Sequence, residues 1–339
     1  MHSAACKLVS QGCDRSGNLK ILVLGANGFI GGRLMTVLAE QAHSIRMLTR
    51  KPGKASSEKL EVLVGDLTSD TLDVERLVDG CDVIINCAGE IKNEQLMPAL
   101  HVSAVKRLLD ALGRRGRGAP HVRWVQLSSV GAYGPAAGKR RVVTEQSAPN
   151  PQGMYEITKT DADKLIMSHA ALQGESGDWV ILRPSNVFAC DMPNGSIRQL
   201  ARIIGKKMFF YVGREEAIAT YIHANDVAAA LACCSSEPRA ARQIYNLSND
   251  CGLRDVVEAL ADCQGVKPPQ LWLPERLVRL AVWLAGNMMR LPLTQNRVDA
   301  LVNKTSYPAE KIRNDLNFTP KYSVPLHICE VIKNNGSMN

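Results

Sequence analysis

The chain predicts an α/β fold, a doubly wound parallel sheet covered by helices on both faces and followed by a smaller lobe. Two observations lead there. Apolar, strand-like runs at 20–25, 44–49, 60–64, 82–87, 122–128 and 179–183 alternate with helical patterns, and such alternation builds parallel sheets from strand–helix–strand units. A glycine-rich turn, GANGFIG, ends the first run and opens the first helix, which lets a backbone approach a phosphate closely. After Arg183 the alternation loosens, so a different unit is expected there.

The first element, KILVLG, is an apolar and branched run suited to a strand buried on both faces. Gly25, Gly28 and Gly31 follow at G-x-x-G-x-x-G spacing, with Asn27, Phe29 and Ile30 among them. Glycines permit the tight turn, and a pyrophosphate then sits at the positively polarised helix N-terminus. The second strand, SIRMLTRK, ends in Thr49, Arg50 and Lys51 rather than in an acid. An acid there would grip a ribose 2′-hydroxyl, whereas two cations suit a 2′-phosphate; NADP(H) is therefore favoured, with NAD(H) as the alternative. Asp66 and Leu67, in LVGDLTSD, are placed to meet adenine, and capping the next helix is the ordinary alternative for Asp66. In DVIINCAG the small residues Cys87, Ala88 and Gly89 let the chain pass close to the cofactor.

The fifth strand leads into QLSSVGAYG with Ser129, and YEITK follows, with Lys159 at i+4 from Tyr155. Both side chains share one face if 155–173 is helical. An unperturbed phenol, with a pKa of about 10, is too weak an acid to serve as a base at neutral pH. An ammonium beside it favours phenolate, and the Ser129 hydroxyl can hydrogen-bond a reacting oxygen from the other side. Phosphate cradle, hydroxyl and phenol–ammonium pair together suit hydride transfer at a carbinol carbon.

In order, GANGFIG, GDL, NCAG, SSVGAYG, YEITK, LRPSNVF and YIHANDVA resemble the extended short-chain dehydrogenase/reductase superfamily, in its NAD-dependent epimerase/dehydratase, nucleotide-sugar branch. The resemblance runs from Leu19 to Ile332. It implies a Rossmann-type domain at 19–189 with returns near 223–247, and a substrate lobe made of 190–222 and 248–332. It implies Ser129, Tyr155 and Lys159 as the catalytic three, with Lys159 also on the nicotinamide ribose. Arg183, Pro184, Ser185 and Asn186 match the segment that closes over the nicotinamide, and Asn186 matches an asparagine near substrate phosphates. His223 matches a histidine kept for structural reasons, and a homodimer is a further implication.

Departures from the family pattern narrow the chemistry. Ala219 stands where many sugar-nucleotide members carry an arginine that clamps the substrate pyrophosphate, and His101 stands where an asparagine is expected. Arg198, Lys206, Lys207 and Arg214 are candidates for replacement charge, with a solvated surface as the alternative, and Arg297 is placed to reach the region of the family's late arginine. Dehydratases of the superfamily place an acid pair directly after the catalytic hydroxyl residue; Val130 and Gly131 stand here, which leaves carbonyl reduction, alcohol oxidation or epimerisation. Arg50 and Lys51 tilt the expectation to a reductase, a nucleotide-sugar 4-keto reductase first. Alternatives are a nucleotide-sugar epimerase, a 3β-hydroxysteroid dehydrogenase-like enzyme on a bulky apolar alcohol, and a non-catalytic NADP-sensing protein.

A formal net charge of +8 in 339 residues suits anionic cofactor and substrate. The cations are scattered, with small clusters at 114–117 and 139–141, and 5% aromatic content offers no stacking platform, so nucleic acid is not an expected partner. Ten cysteines show no C-x-x-C pair and no histidine spacing for zinc. No metal is expected; free thiols in core-like segments act as small apolar groups, and a reducing compartment follows. Residues 1–18 lack the apolar core of a secretion signal and read as a loose tail. The uncharged stretch Leu280–Met289 is shorter than the ~20 residues a bilayer span needs, so a buried or lobe-surface helix is expected and the protein is placed in the cytoplasm.

Overall fold

The computed structural model describes residues 18–51, 56–116, 119–135, 140–213, 216–286 and 294–333. The tail at 1–17, Arg214 and Lys139 lie outside the described residues.

Strands β1 (Lys20–Leu24), β2 (Ser44–Thr49), β3 (Leu60–Val64), β4 (Val83–Asn86) and β5 (Val122–Leu127) are joined by two later ones, Gly177–Pro184 and Gln243–Leu247. Together they form a seven-stranded sheet in the order Gln243–Leu247, Gly177–Pro184, β5, β4, β1, β2, β3, and every pairing is parallel. This is the Rossmann-type sheet the alternation predicts. Chain order runs outward in both directions from β1 and β4, which leaves a crevice at their carboxyl ends, where α/β sheets take ligands.

Burial explains why β1 is continuously apolar. Its Ile21 and Val23 join Leu34 and Leu38 of α1 (Phe29–Ala39) with Val227 and Leu231 of α6 (Ala224–Ser236). Leu22 and Leu24 face the other way, into Leu77 of α2 (Val74–Val78) and Val105, Leu108 and Leu109 of α3 (Ala104–Gly113). Alternate residues thus feed two cores, as the two-residue strand period requires. On β5 the buried Arg123 makes a bidentate pair with Asp178 (2.7 and 3.0 Å) and donates to the carbonyls of Cys234 (3.2 Å) and Glu237 (2.6 Å).

Beyond Pro184 a third core gathers Phe188, Ile197, Ala201 and Ile204 with Tyr211, Val256, Val257 and Leu260, packing α5 (Ser196–Gly205) on α7 (Leu253–Cys263). Helix α8 (Glu275–Gly286) buries Val278 and Val282 against Val298 and Val302 and exposes Leu277, Leu280, Trp283 and Leu284. It is a surface helix as far as Gly286, the rest of the uncharged stretch at 287–289 lying outside the described residues, and no helix among the described residues is long and apolar enough to cross a membrane. Cys263 and Cys329 are joined by a disulfide across a sequence separation of 66. That departs from the reading of the cysteines as free thiols, since only tertiary packing brings these two together.

Candidate functional site

The glycine turn is built for close approach. Gly25 has φ +76, and a Cβ there would stand 2.7 Å from the Ala88 nitrogen; a Cβ on Gly31 would overlap the Gly25 carbonyl oxygen. Gly28 donates its N–H to that same oxygen at 2.9 Å and caps α1 without any side-chain hydrogen bond, so the first-turn amides stay available to an anion. These residues fit a dinucleotide pyrophosphate. Phe29 lies under the Arg33 guanidinium, 4.8 Å from the ring centroid, and Ile30 packs on the core.

The neighbouring strand ends are tied to this turn. Asn27 Nδ2 donates to Thr49 Oγ1 at 3.0 Å, and Thr49 Oγ1 accepts the Lys51 N–H at 3.2 Å, which fixes the β2 tip and leaves Arg50 and Lys51 exposed beside it. Asp66 Oδ1 accepts from the Thr68 hydroxyl and N–H at 2.7 and 2.8 Å; these bonds, with Arg50 nearby, hold its carboxyl below the usual range. Helix α2 is capped instead by Asp73, which accepts the Arg76 N–H at 2.9 Å, so the capping alternative for Asp66 falls to another residue. Leu67 is buried. Ala88 donates its N–H to Asn86 Oδ1 at 3.1 Å, and burial pushes the Cys87 thiol up to about 12, which keeps it neutral.

Helix α4 (Met154–Ser168) carries the phenol and the ammonium. It stops short of the expected 173, and a separate 3-10 turn occupies Ala170–Leu172. Lys159 Nζ donates to Leu127 O at 2.8 Å and Ala88 O at 3.4 Å, which sets the amine at the carboxyl ends of β5 and β4. Burial brings its pKa down to about 8, against the pull of Asp163 and Cys87. The phenol does not move as the i+4 argument anticipates. Burial, then the charges of Glu156 and Asp163, push Tyr155 up to about 12, so desolvation outweighs any help from Lys159. Ser129 Oγ accepts the Gly131 N–H at 3.0 Å, which leaves its own proton for a ligand oxygen.

Asp163 escaped the sequence reading, although it extends the row Tyr155, Lys159 by a further four residues. It is fully buried and accepts at Oδ2 from Ser128 Oγ (2.7 Å) and from Arg183 Nη2 (2.9 Å) and Nε (3.2 Å). Arg183 therefore supports α4 from behind, with its guanidinium 5.0 Å from the Tyr133 ring centroid. Pro184 is buried beside Leu247.

The residues proposed to meet substrate are held less freely. Asn186 donates to the Thr220 carbonyl at 3.0 Å, on a short strand Asn186–Phe188 paired with Tyr221–His223. Arg198 donates to Met192 O at 2.6 Å and Asn194 O at 3.3 Å, while Arg297 donates to Gln199 Oε1 at 2.7 Å. Ala219 is buried. His223 caps α6 by accepting the Asn225 N–H at 3.1 Å, in keeping with a structural role.

A parallel sheet with a glycine cradle at its switch point, and a phenol, amine and hydroxyl beside it, defines a nicotinamide-dinucleotide enzyme. The chain belongs to the NAD dependent epimerase/dehydratase family, whose pattern covers residues 21–248, and is an NAD-dependent oxidoreductase or epimerase of the extended short-chain dehydrogenase type. Among its relatives, a Stigmatella aurantiaca 4-hydroxy-2-methyl-3-oxo-4-farnesyl-3,4-dihydroquinoline-1-oxide ketoreductase is 23% identical over 292 residues, 84% of each chain. A dTDP-6-deoxy-L-talose 4-dehydrogenase (NAD(P)(+)) from Kitasatospora kifunensis is 26% identical over 266 residues, 73% of this chain and 80% of that one. The solved structure of MoeE5 in complex with UDP-glucose and NAD superposes with TM-score 0.68 at 22% identity, over 94% of this chain and 98% of that one.

Proposed function

We propose that the protein reduces a ketone to a secondary alcohol at the expense of NADPH, with a 4-keto nucleotide sugar as the substrate class. The observation that carries this reading is the Lys159 amine, fixed by Leu127 O at 2.8 Å on the same helix face as the Tyr155 phenol, with the proton of the Ser129 hydroxyl left for a ligand oxygen; burial keeps the phenol protonated. A bound nicotinamide would supply hydride. Tyr155 would give its proton to the carbonyl oxygen, Lys159 as an ammonium would steady the phenolate left behind, and Ser129 would donate a hydrogen bond to the same oxygen. Val130 and Gly131 offer no acid–base pair for elimination. The likeness to the talose 4-dehydrogenase supports the sugar assignment.

A bulky apolar ketone is the second reading. It is favoured by the buried Ala219 in place of a clamp arginine and by the bonding of Arg198 to its own loop. Titration with NADPH and NADH, then a screen of 4-keto nucleotide sugars against prenylated and steroidal ketones for cofactor oxidation, separates the two. Epimer formation without net oxidation would overturn reduction altogether.

Two outcomes follow for the cofactor and for pH. Arg50→Ala should weaken NADPH by about 10–100-fold, the loss of one charge-assisted phosphate contact, and leave NADH unchanged in a fluorescence titration; equal weakening of both would remove the 2′-phosphate argument. For ketone reduction, kcat/KM should fall as pH rises through about 8, where Lys159 loses its proton. Tyr155, at about 12, keeps its proton through that range, so a profile flat to pH 10 would contradict the role given to the amine.

A further inference from the structure

A π-helical turn, Ala99–Ser103, precedes α3 and carries the buried His101 between the loop that follows β4 and helix α4. On one side His101 Nε2 accepts the Glu90 N–H at 2.9 Å, in the loop that follows β4. On the other, Nδ1 meets the Thr158 hydroxyl of α4 at 2.8 Å. Thr158 Oγ1 donates in turn to Met154 O at 2.8 Å. Because Nε2 is used as an acceptor, the proton of the neutral ring sits on Nδ1 and is donated to Thr158. Burial, reinforced by the charge of Lys159, pushes the imidazole down to about 3, so the ring stays neutral and the bond direction is fixed.

The same ring reaches both proposed proton-handling residues. Its edge meets the Tyr155 ring, with centroids 5.6 Å apart and planes at 85°, a favoured aromatic geometry. A Cβ erected on Gly89 would lie 3.6 Å from His101 Nε2 and 3.5 Å from Lys159 Nζ, which places imidazole and amine side by side over that glycine. π-helical turns occur frequently at functional sites, and this one delivers a side chain with an acceptor at one end and a donor at the other.

We propose that His101 is a positioning residue: it bolts α4 to the Gly89–Glu90 loop and so sets the direction in which Tyr155 and Lys159 face the reacting carbon. This rests on the proposed roles of those two residues. His101→Leu fills the same space but leaves the Glu90 N–H and the Thr158 hydroxyl without their partner, whereas His101→Gln keeps an acceptor and a donor.

Expected results are a loss in kcat on the order of 10–100-fold for His101→Leu, from misplaced reacting groups, with KM and NAD(P)H affinity within about twofold, and substantial recovery in His101→Gln. Thr158→Val should show the same signature, and adding it to His101→Leu should cost no more than either change alone. Amide exchange at Glu90 should quicken about five- to tenfold in His101→Leu, the loss of one hydrogen bond, and this readout needs no turnover. Equal kcat in wild type and His101→Leu, a loss confined to cofactor affinity, no difference between the Leu and Gln variants, or unchanged exchange at Glu90 would each overturn the proposal. Tyr155→Phe is run alongside: if it retains turnover, the catalytic reading fails, and the exchange result still judges the bolt.

Discussion

Tyr155→Phe lowers kcat by about 10²–10⁴-fold, the usual worth of a general acid–base group, and leaves dinucleotide affinity unchanged. The substitution removes one oxygen and keeps the ring, so the edge contact with His101 at 5.6 Å is preserved and α4 has no reason to move. Binding at the proposed glycine cradle should be untouched, because Gly25, Gly28 and Gly31 would act there through backbone amides and the absence of Cβ atoms. Steady-state turnover with NADPH and the ketone that proves to be the substrate, measured beside a fluorescence titration of the cofactor, gives both numbers. A variant that turns over within a few-fold of wild type would mean that another group protonates the carbonyl oxygen, whereas a wild-type protein that binds NADPH and turns over no ketone would favour a non-catalytic, NADP-sensing role.

The largest expected loss of stability comes from Asp163→Leu, at about 3–5 kcal/mol, the cost of stranding one member of a buried ion pair. Arg183 is itself buried and loses two hydrogen bonds, from Nη2 and Nε, to Asp163 Oδ2. Ser128 loses its 2.7 Å acceptor as well. The Tyr133 ring face at 5.0 Å is present before and after the change, so its contribution of about 2 kcal/mol does not compensate. Urea unfolding gives the value, and the double variant Asp163→Leu with Arg183→Met should recover most of it, since an apolar pair of similar volume often replaces a buried ion pair without loss. A single variant within about 0.5 kcal/mol of wild type, the range of ordinary surface changes, would show that the pair carries no weight.

Much of the fold was readable because strand period and helix period are strong signals. The runs at 20–25, 44–49, 60–64 and 122–128 become β1, β2, β3 and β5 to within a residue at each end, since each is rich in apolar and branched residues despite the polar Arg46, Glu61, Arg123 and Gln126 within them. The end of α4 was misjudged: apolar residues continue through Leu172, but the chain breaks at His169, which is extended and accepts the Ala171 N–H. At the site, spacing alone paired Tyr155 with Lys159, because i+4 neighbours share a helix face. What spacing does not carry is desolvation. The direction of the Tyr155 shift depends on how deeply the ring is buried and on the charges of Glu156 and Asp163, which only the folded chain sets. The same limit hid the role of His101, whose partners Glu90 and Thr158 are 11 and 57 residues away.

Arg123 carries a consequence for how the polypeptide is made. Its guanidinium reaches Cys234 and Glu237, and the sheet edge beside it is closed by Gln243–Leu247. A nascent chain that has emerged only as far as residue 189 therefore holds a buried cation short of two acceptors and a parallel edge with nothing paired to it. Such a fragment should need a chaperone, or should wait on the ribosome, until the segment beyond residue 247 arrives. Six of the seven sheet strands are complete by residue 184, yet the sheet matures late, and a gene cut after residue 189 should yield aggregates rather than a free-standing folded unit.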